Sequence, residues 1–170
     1  MIDDLPHLIT YDELAWPTML PGLWLPLLVG LVGLFLRGKE VLGLWSSILA
    51  NVILATPLAV FQVLQPGNDG IHVFSILPAV LFFQVALTGR RVSFLAAFSA
   101  TFWSAFIPDA AGSFFRAAFV TQGASMLDPL ATLGGEGLQD ALLIFPVLGL
   151  AGLAAGLLLA AHNPKLQAAQ

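Results

Sequence analysis

Five long apolar segments, separated by short polar stretches, dominate the sequence. They cover residues 20–36, 41–64, 71–88, 92–107 and 141–161. A transmembrane helix needs about 20 apolar residues to cross a hydrocarbon layer about 30 Å thick, and these segments approach that length. The runs are continuous rather than alternating, which argues against membrane β-strands. The pattern therefore predicts an all-α polytopic membrane bundle of about five transmembrane helices, forming one domain over residues 20–162.

The flanking segments are more polar than this domain. Residues 1–19 form an acidic arm with scattered apolar and aromatic positions, which predicts a short amphipathic helix at the membrane interface. Residues 163–170 form a short C-terminal tail.

The fourth apolar segment is followed by an interruption and a second, Phe-rich segment. The run from Val92 reaches Pro108-Asp109 and resumes at residues 113–122 as SFFRAAFVTQ. Proline disrupts a helix interior, so we expect the membrane helix to end there and the Phe-rich segment to form an interfacial helix. Asp109 and Arg116 would lie one to two turns apart if the helix were continuous, and they are a candidate interfacial charge pair.

The fourth segment has two distinct faces. The large face recurs every fourth residue and consists of Phe94, Phe98, Phe102 and Phe106. The neighbouring small face consists of Ser93, Ala97, Ala100 and Ser104. Small residues let membrane helices approach closely, so we expect the small face to meet other helices. The Phe face would contact lipid, another subunit or the rest of the same bundle.

A glycine face is predicted on the fifth segment. Gly149, Gly152 and Gly156 share one side of a helix by their spacing. Glycine costs up to about 1 kcal/mol relative to alanine in a helix interior, so a compensating close contact is expected, either within the bundle or with a partner subunit. Leu153 is expected on another side, where enlargement to Phe would be tolerated better.

A polar seam is predicted on the second and third segments. It consists of Ser47, Asn51, Gln62 and Gln84. Pro57 lies within this stretch and removes a helix hydrogen bond from the carbonyl of Ile53. The seam has two interpretations, a line of interhelical hydrogen bonds or a site for a neutral or weakly polar solute.

Composition supports membrane insertion and excludes several chemistries. Only 9% of the 170 residues are charged, whereas soluble domains average about 25%. The net charge of −4 gives no indication of nucleic-acid binding, and the absence of cysteine excludes disulfides and thiol chemistry. His72 has no second ligand at helical spacing, and no phosphate-binding Gly-rich loop occurs, so neither a metal nor a cofactor is predicted.

The basic residues predict the threading. Five of the six follow the first, third and fifth segments, as Arg37, Lys39, Arg90, Arg91 and Lys165, and Arg116 is the one exception. Because Lys and Arg in short loops favour the cytoplasmic side, we expect a multi-pass cell (inner) membrane protein with its N-terminus outside and its C-terminus inside.

Two functions are compatible with these patterns, and catalysis is not expected because the central parts of the segments contain no ionisable residue. The first is a non-catalytic integral subunit of a larger membrane assembly, such as a secretion, conjugation or transport complex. Its partners would be the lipid bilayer and other membrane subunits, or further copies of the same chain. The second is a small transporter or channel that binds its solute along the polar seam.

Overall fold

The computed structural model describes residues 20–63, 77–89, 91–119 and 141–162. Within these ranges the chain forms a π-helical turn, Leu20–Trp24, and α-helices without any strand. The α-helices are α1 (Leu25–Gly43), α2 (Trp45–Val63), α3 (Leu77–Leu87), α4 (Phe94–Phe119) and α5 (Ala141–His162). The all-helical part of the prediction is therefore confirmed for the described residues. The acidic arm and the C-terminal tail lie outside them.

Two of these helices are long and apolar enough to cross a membrane. The qualifying stretches are Phe94–Gly112 in α4 and Leu142–His162 in α5. A shorter apolar stretch, Ile48–Pro57, lies in α2. The stretch Phe94–Gly112 extends beyond the predicted fourth segment, residues 92–107, because it passes through the helix end expected at Pro108-Asp109.

The predicted interruption at Pro108-Asp109 is wrong, because α4 continues without a break from Phe94 to Phe119. An interior proline costs about 3 kcal/mol by removing one backbone hydrogen bond and crowding the preceding turn. Pro108 and Gly112 are both buried, so tertiary packing holds the chain helical where the local sequence disfavours it. Residues 113–119 of the predicted interfacial segment are thus the last turns of α4.

The charged stretch after the first apolar segment also differs from the expected loop. Helix α1 does not end near Leu36 but runs to Gly43, with non-helical backbone angles at Arg37 (φ −126°, ψ 26°). Beyond this kink the chain makes a further charged helical turn, in which Arg37 pairs with Glu40 at 3.1 Å. Leu44 then separates α1 from α2.

Helix α4 is the centre of the described bundle. It packs against α1, α2 and α5, whereas α3 packs against α5, and α1 and α2 have little contact with each other. One buried cluster contains residues from the end of α1, from the start of α2 and from α3, α4 and α5. It includes Val41, Ile48, Phe82, Ala97 and Leu153. A second cluster joins the start of α1 to α4 and α5, and includes Leu23, Phe102, Ala105, Leu142 and Phe145.

Candidate functional site

The glycine face of α5 lies directly against α3 and α4. A methyl carbon built on Gly149 would lie 2.7 Å from the Oγ1 atom of Thr101. One built on Gly152 would lie 2.7 Å from both the Cα and the carbonyl carbon of Ala79. At Gly156 it would lie 2.7 Å from the carbonyl oxygen of Phe83. Ordinary contacts between carbon atoms are about 3.5–4.0 Å, so these glycines permit helix separations that alanine would not.

A second glycine face, on α1, lies against α4. A methyl carbon on Gly33 would lie 2.7 Å from the Cβ atom of Ser99 and 2.9 Å from the carbonyl oxygen of Leu95. On Gly30 it would lie 2.5 Å from the ring of Phe102. The sequence reasoning missed this face, although its i, i+3 spacing is the signal that singled out α5. Glycines of α1 and of α5 therefore lie against α4 on its two sides.

Hydroxyl groups on α4 are buried in this interface and find backbone partners. Ser99 donates its hydroxyl hydrogen to the carbonyl oxygen of Gly30 at 2.8 Å. Trp103 donates its indole N–H to the same oxygen at 3.3 Å. Thr101 and Ser104 instead donate to carbonyl oxygens of their own helix, each at 2.8 Å. The interior thus contains polar atoms, and these four donors are satisfied without a ligand.

Three of the four residues of the small face of α4 are buried, Ser93 is half-buried, and the Phe face is divided. Ala97, Ala100 and Ser104 are buried against neighbouring helices. Along the Phe face, Phe94 is half exposed whereas Phe102 is completely buried.

The buried part of the Phe face belongs to an aromatic cluster. Phe102 stacks on Phe106 with ring centroids 5.4 Å apart. Trp103 meets both rings edge to face, at 5.2 and 5.6 Å. Such pairs add about 0.5–1.5 kcal/mol beyond their buried area. This part of the face therefore contributes to packing within the chain.

Glu40 connects the kinked end of α1 to the start of α4. Its carboxylate accepts the backbone N–H of Ser93 at 2.9 Å, across 53 residues of sequence. The Ser93 hydroxyl in turn accepts the N–H of Ala96 at 3.2 Å, as an N-cap residue does. The backbone N–H of Ser93 lowers the pKa of Glu40 most, the Ser93 hydroxyl and Arg37 lower it further, and desolvation opposes them. Glu40 therefore stays ionised and closes the first turn of α4.

Of the predicted polar seam, the structure describes only the side chain of Gln84, so the seam stays a prediction. Gln84 is exposed on α3, whereas the side chains of Ser47, Asn51 and Gln62 lie outside the described part. In α2 the buried hydroxyl of Thr56 has no hydrogen-bond partner among the described residues.

The proposed charge pair lies on one continuous helix. Asp109 and Arg116 are two turns apart on α4, about 10 Å along its axis. The side chain of Arg116 lies outside the described part, so the pair stays a prediction.

Comparison with protein-family models, curated proteins and solved structures finds no match for this chain. Its function must therefore be argued from the residues themselves. In the described ranges no three His, Asp or Glu side chains come together as a metal site would need. What the described residues do form is a tightly fitted helical interface and a largely apolar outer surface.

Proposed function

We propose that the chain is a non-catalytic integral subunit of a larger membrane assembly, such as a secretion, conjugation or transport complex. The observation that carries this proposal is the apolar outer surface of the bundle. Large apolar side chains are exposed on every helix, and Phe35 is 88% exposed. Others are Leu28 on α1, Ile53 and Leu54 on α2, Val80 on α3, Phe94 on α4 and Leu158 on α5. Water-soluble monomers rarely expose contiguous apolar patches of more than a few hundred Å².

The burial of α5 supports the same interpretation. Only 33% of its apolar stretch is buried inside the bundle. The core helix of a soluble protein would be mostly buried. A helix that is apolar all round and mostly uncovered is stable where its surroundings are apolar too. Lipid tails or the helices of partner subunits provide such surroundings.

Helix directions support a chain that crosses the bilayer repeatedly. Gly30 and Gly33 of α1 meet Phe102 and Ser99 of α4, so these two helices run antiparallel. Gly152 and Gly156 of α5 meet Ala79 and Phe83 of α3, so that pair runs parallel. Both relations agree with five consecutive spans of alternating direction. They also bring Arg37, Lys39 and Arg91 to one end of the bundle, which would be cytoplasmic.

The interior favours a structural role over catalysis. The contacts around α4 are made by small residues and by hydroxyls that bond to backbone carbonyls. Side chains fitted in this way hold helices at fixed separations, and the four hydroxyl and indole donors of α4 are occupied. Outer apolar faces are then available for lipid and for neighbouring subunits.

Two measurements test this proposal in sequence. Resistance of the chain to alkaline carbonate extraction tests membrane insertion. The mass of the detergent-purified particle then tests assembly, and a particle containing further proteins in fixed stoichiometry is expected. Carbonate extraction into the soluble fraction would contradict insertion, and a particle of one chain alone would contradict the subunit role.

Single-cysteine labelling tests the threading, because the natural chain contains no cysteine. Gly38 has no atom within 4 Å of an added Cβ, so Gly38→Cys should not disturb the fold. Asn68, in the polar stretch of sequence between the second and third segments, is the position expected on the opposite side of the membrane. An impermeant reagent applied from outside should label Asn68→Cys and spare Gly38→Cys, and the reverse pattern would contradict the orientation.

One observation favours the solute-binding alternative. The buried hydroxyl of Thr56 lies beside Pro57 in α2 and has no hydrogen-bond partner among the described residues, so it is available to bond a polar solute. Under this alternative the purified chain would bind a neutral solute, and Thr56→Val would abolish binding with little change in stability. Under the subunit proposal Thr56→Val should be neutral or stabilising, because it removes a buried polar group that lacks a partner.

A further inference from the structure

The basic end of the bundle carries cations that have no protein partner within the described residues. The contact between Glu40 and the Ser93 backbone joins two segments that are distant in sequence. Lys39 precedes Glu40 and Arg91 lies two residues before Ser93, so the contact brings both cations to the same end. Both side chains are exposed, and neither forms an ion pair in the described part of the chain.

The single carboxylate of the described residues at this end is already engaged. Glu40 accepts the Ser93 N–H and pairs with Arg37 at 3.1 Å. Among the described residues, Lys39 and Arg91 therefore have no carboxylate that compensates their charges. Asp109, the other described acidic residue, lies 15 residues after the first residue of α4, about 22 Å along the helix axis.

Exposed apolar side chains lie at the same end of the bundle as these cations. Trp45 at the start of α2 and Phe94 at the start of α4 are each about half exposed, and Leu42 is 62% exposed. Tryptophan is enriched at the headgroup level of membranes, where its ring contacts the upper acyl chains. This end of the bundle thus offers both positive charge and apolar area, which fits a ligand with an anionic head and an apolar tail.

We propose that Lys39 and Arg91 form a binding site for the phosphate headgroup of an anionic phospholipid, whose acyl chains lie against Trp45 and Phe94. This inference rests on the proposed membrane insertion. A lipid with net negative charge is expected over a zwitterionic one, because the site presents cations without a nearby free carboxylate. Attraction of about 1 kcal/mol per Lys or Arg corresponds to about fivefold in affinity for each cation.

Native mass spectrometry of the full-length protein in detergent tests the site. Phosphatidylglycerol and phosphatidylcholine with identical acyl chains would be added in equal amounts. The unmodified protein should retain phosphatidylglycerol at least about fivefold better. Equal retention of the two lipids would overturn the proposal. Inorganic phosphate at the same concentration should leave the lipid bound, and displacement by it would show a free-phosphate site instead.

Charge variants locate the site. Lys39→Gln should lower phosphatidylglycerol retention about fivefold, whereas Lys39→Arg should preserve it. Lys165→Gln is the matched control, since it also replaces one lysine by glutamine but lies in the C-terminal tail. An unchanged preference in Lys39→Gln, or an equal loss in Lys165→Gln, would overturn the assignment. Carbonate extraction does not depend on lipid class, so loss of the lipid preference would leave the membrane proposal standing.

Discussion

The contact between α5 and α3 predicts that Gly152→Ala destabilises the bundle. The added methyl carbon would lie 2.7 Å from two backbone atoms of Ala79. Because backbone cannot rotate away as a side chain can, the two helices would have to separate by about 1 Å to reach normal contact distance. That shift would loosen the neighbouring contact of Gly156 with Phe83. Overpacking of this kind costs about 1–3 kcal/mol, and we expect the upper half of that range.

Gly38→Ala is the matched control for this substitution. Gly38 has open space where its Cβ would be, so alanine there should leave stability unchanged or raise it by about 0.5–1 kcal/mol. Both variants would be unfolded in detergent micelles with increasing SDS and followed by circular dichroism. Equal unfolding midpoints for the two variants would refute the close contact, because alanine at Gly152 would then have met no obstacle.

The structure also changes the choice of a large-residue control on α5. Sequence spacing places Leu153 away from the glycine face and predicts that Leu153→Phe is tolerated better than Gly152→Leu. Leu153 is only 1% exposed and belongs to the buried cluster, so Leu153→Phe would itself overpack the interior and is a poor control. Leu158, which is 62% exposed, is the position where Phe should be tolerated.

Three further substitutions test other contacts in the same unfolding assay. Ser99→Ala removes the hydrogen bond to Gly30 and should cost about 0.6–2 kcal/mol; no loss would show that the bond contributes nothing to stability. Glu40 has a lowered pKa in the folded protein, so its stabilising effect should be complete above the ordinary glutamate pKa and decline as the pH falls through the folded value. Glu40→Gln should remove this acid sensitivity, and an unchanged pH profile would contradict the contact with Ser93. Gly89 lies in the turn after α3 with φ 72°, so Gly89→Ala should cost about 1–2 kcal/mol, and a stability equal to that of the natural chain would contradict this conformation.

Local sequence patterns predicted which helix faces meet, because spacing within one helix is independent of its surroundings. The small residues of the fourth segment lie in the interior, and the glycines of the fifth lie against other helices. The same rule, applied to Gly30 and Gly33, would have found the α1 face. These features needed no knowledge of the partner helix.

The errors concern places where tertiary contacts outweigh local preference. Pro108 disfavours helix by about 3 kcal/mol, and the burial that offsets this penalty depends on neighbouring helices. The bond between Glu40 and Ser93 joins residues 53 positions apart, so no local pattern could predict it. The hydrogen bonds in the interior were not predictable either. The residues of the polar seam gave no indication that Ser99 and Trp103 donate hydrogen bonds to the same carbonyl oxygen.

The central place of α4 has a consequence for how the chain is made. The carbonyl oxygen of Gly30 accepts its hydrogen bond from Ser99, which is synthesised 69 residues later. At about 5–20 residues per second, α1 is synthesised about 3–14 seconds before its packing partner. Helix α2 depends on α4 in the same way, and α3 depends on α5. The first three helices therefore pass through a period without their native neighbours, during which an insertase or a partner subunit can hold them.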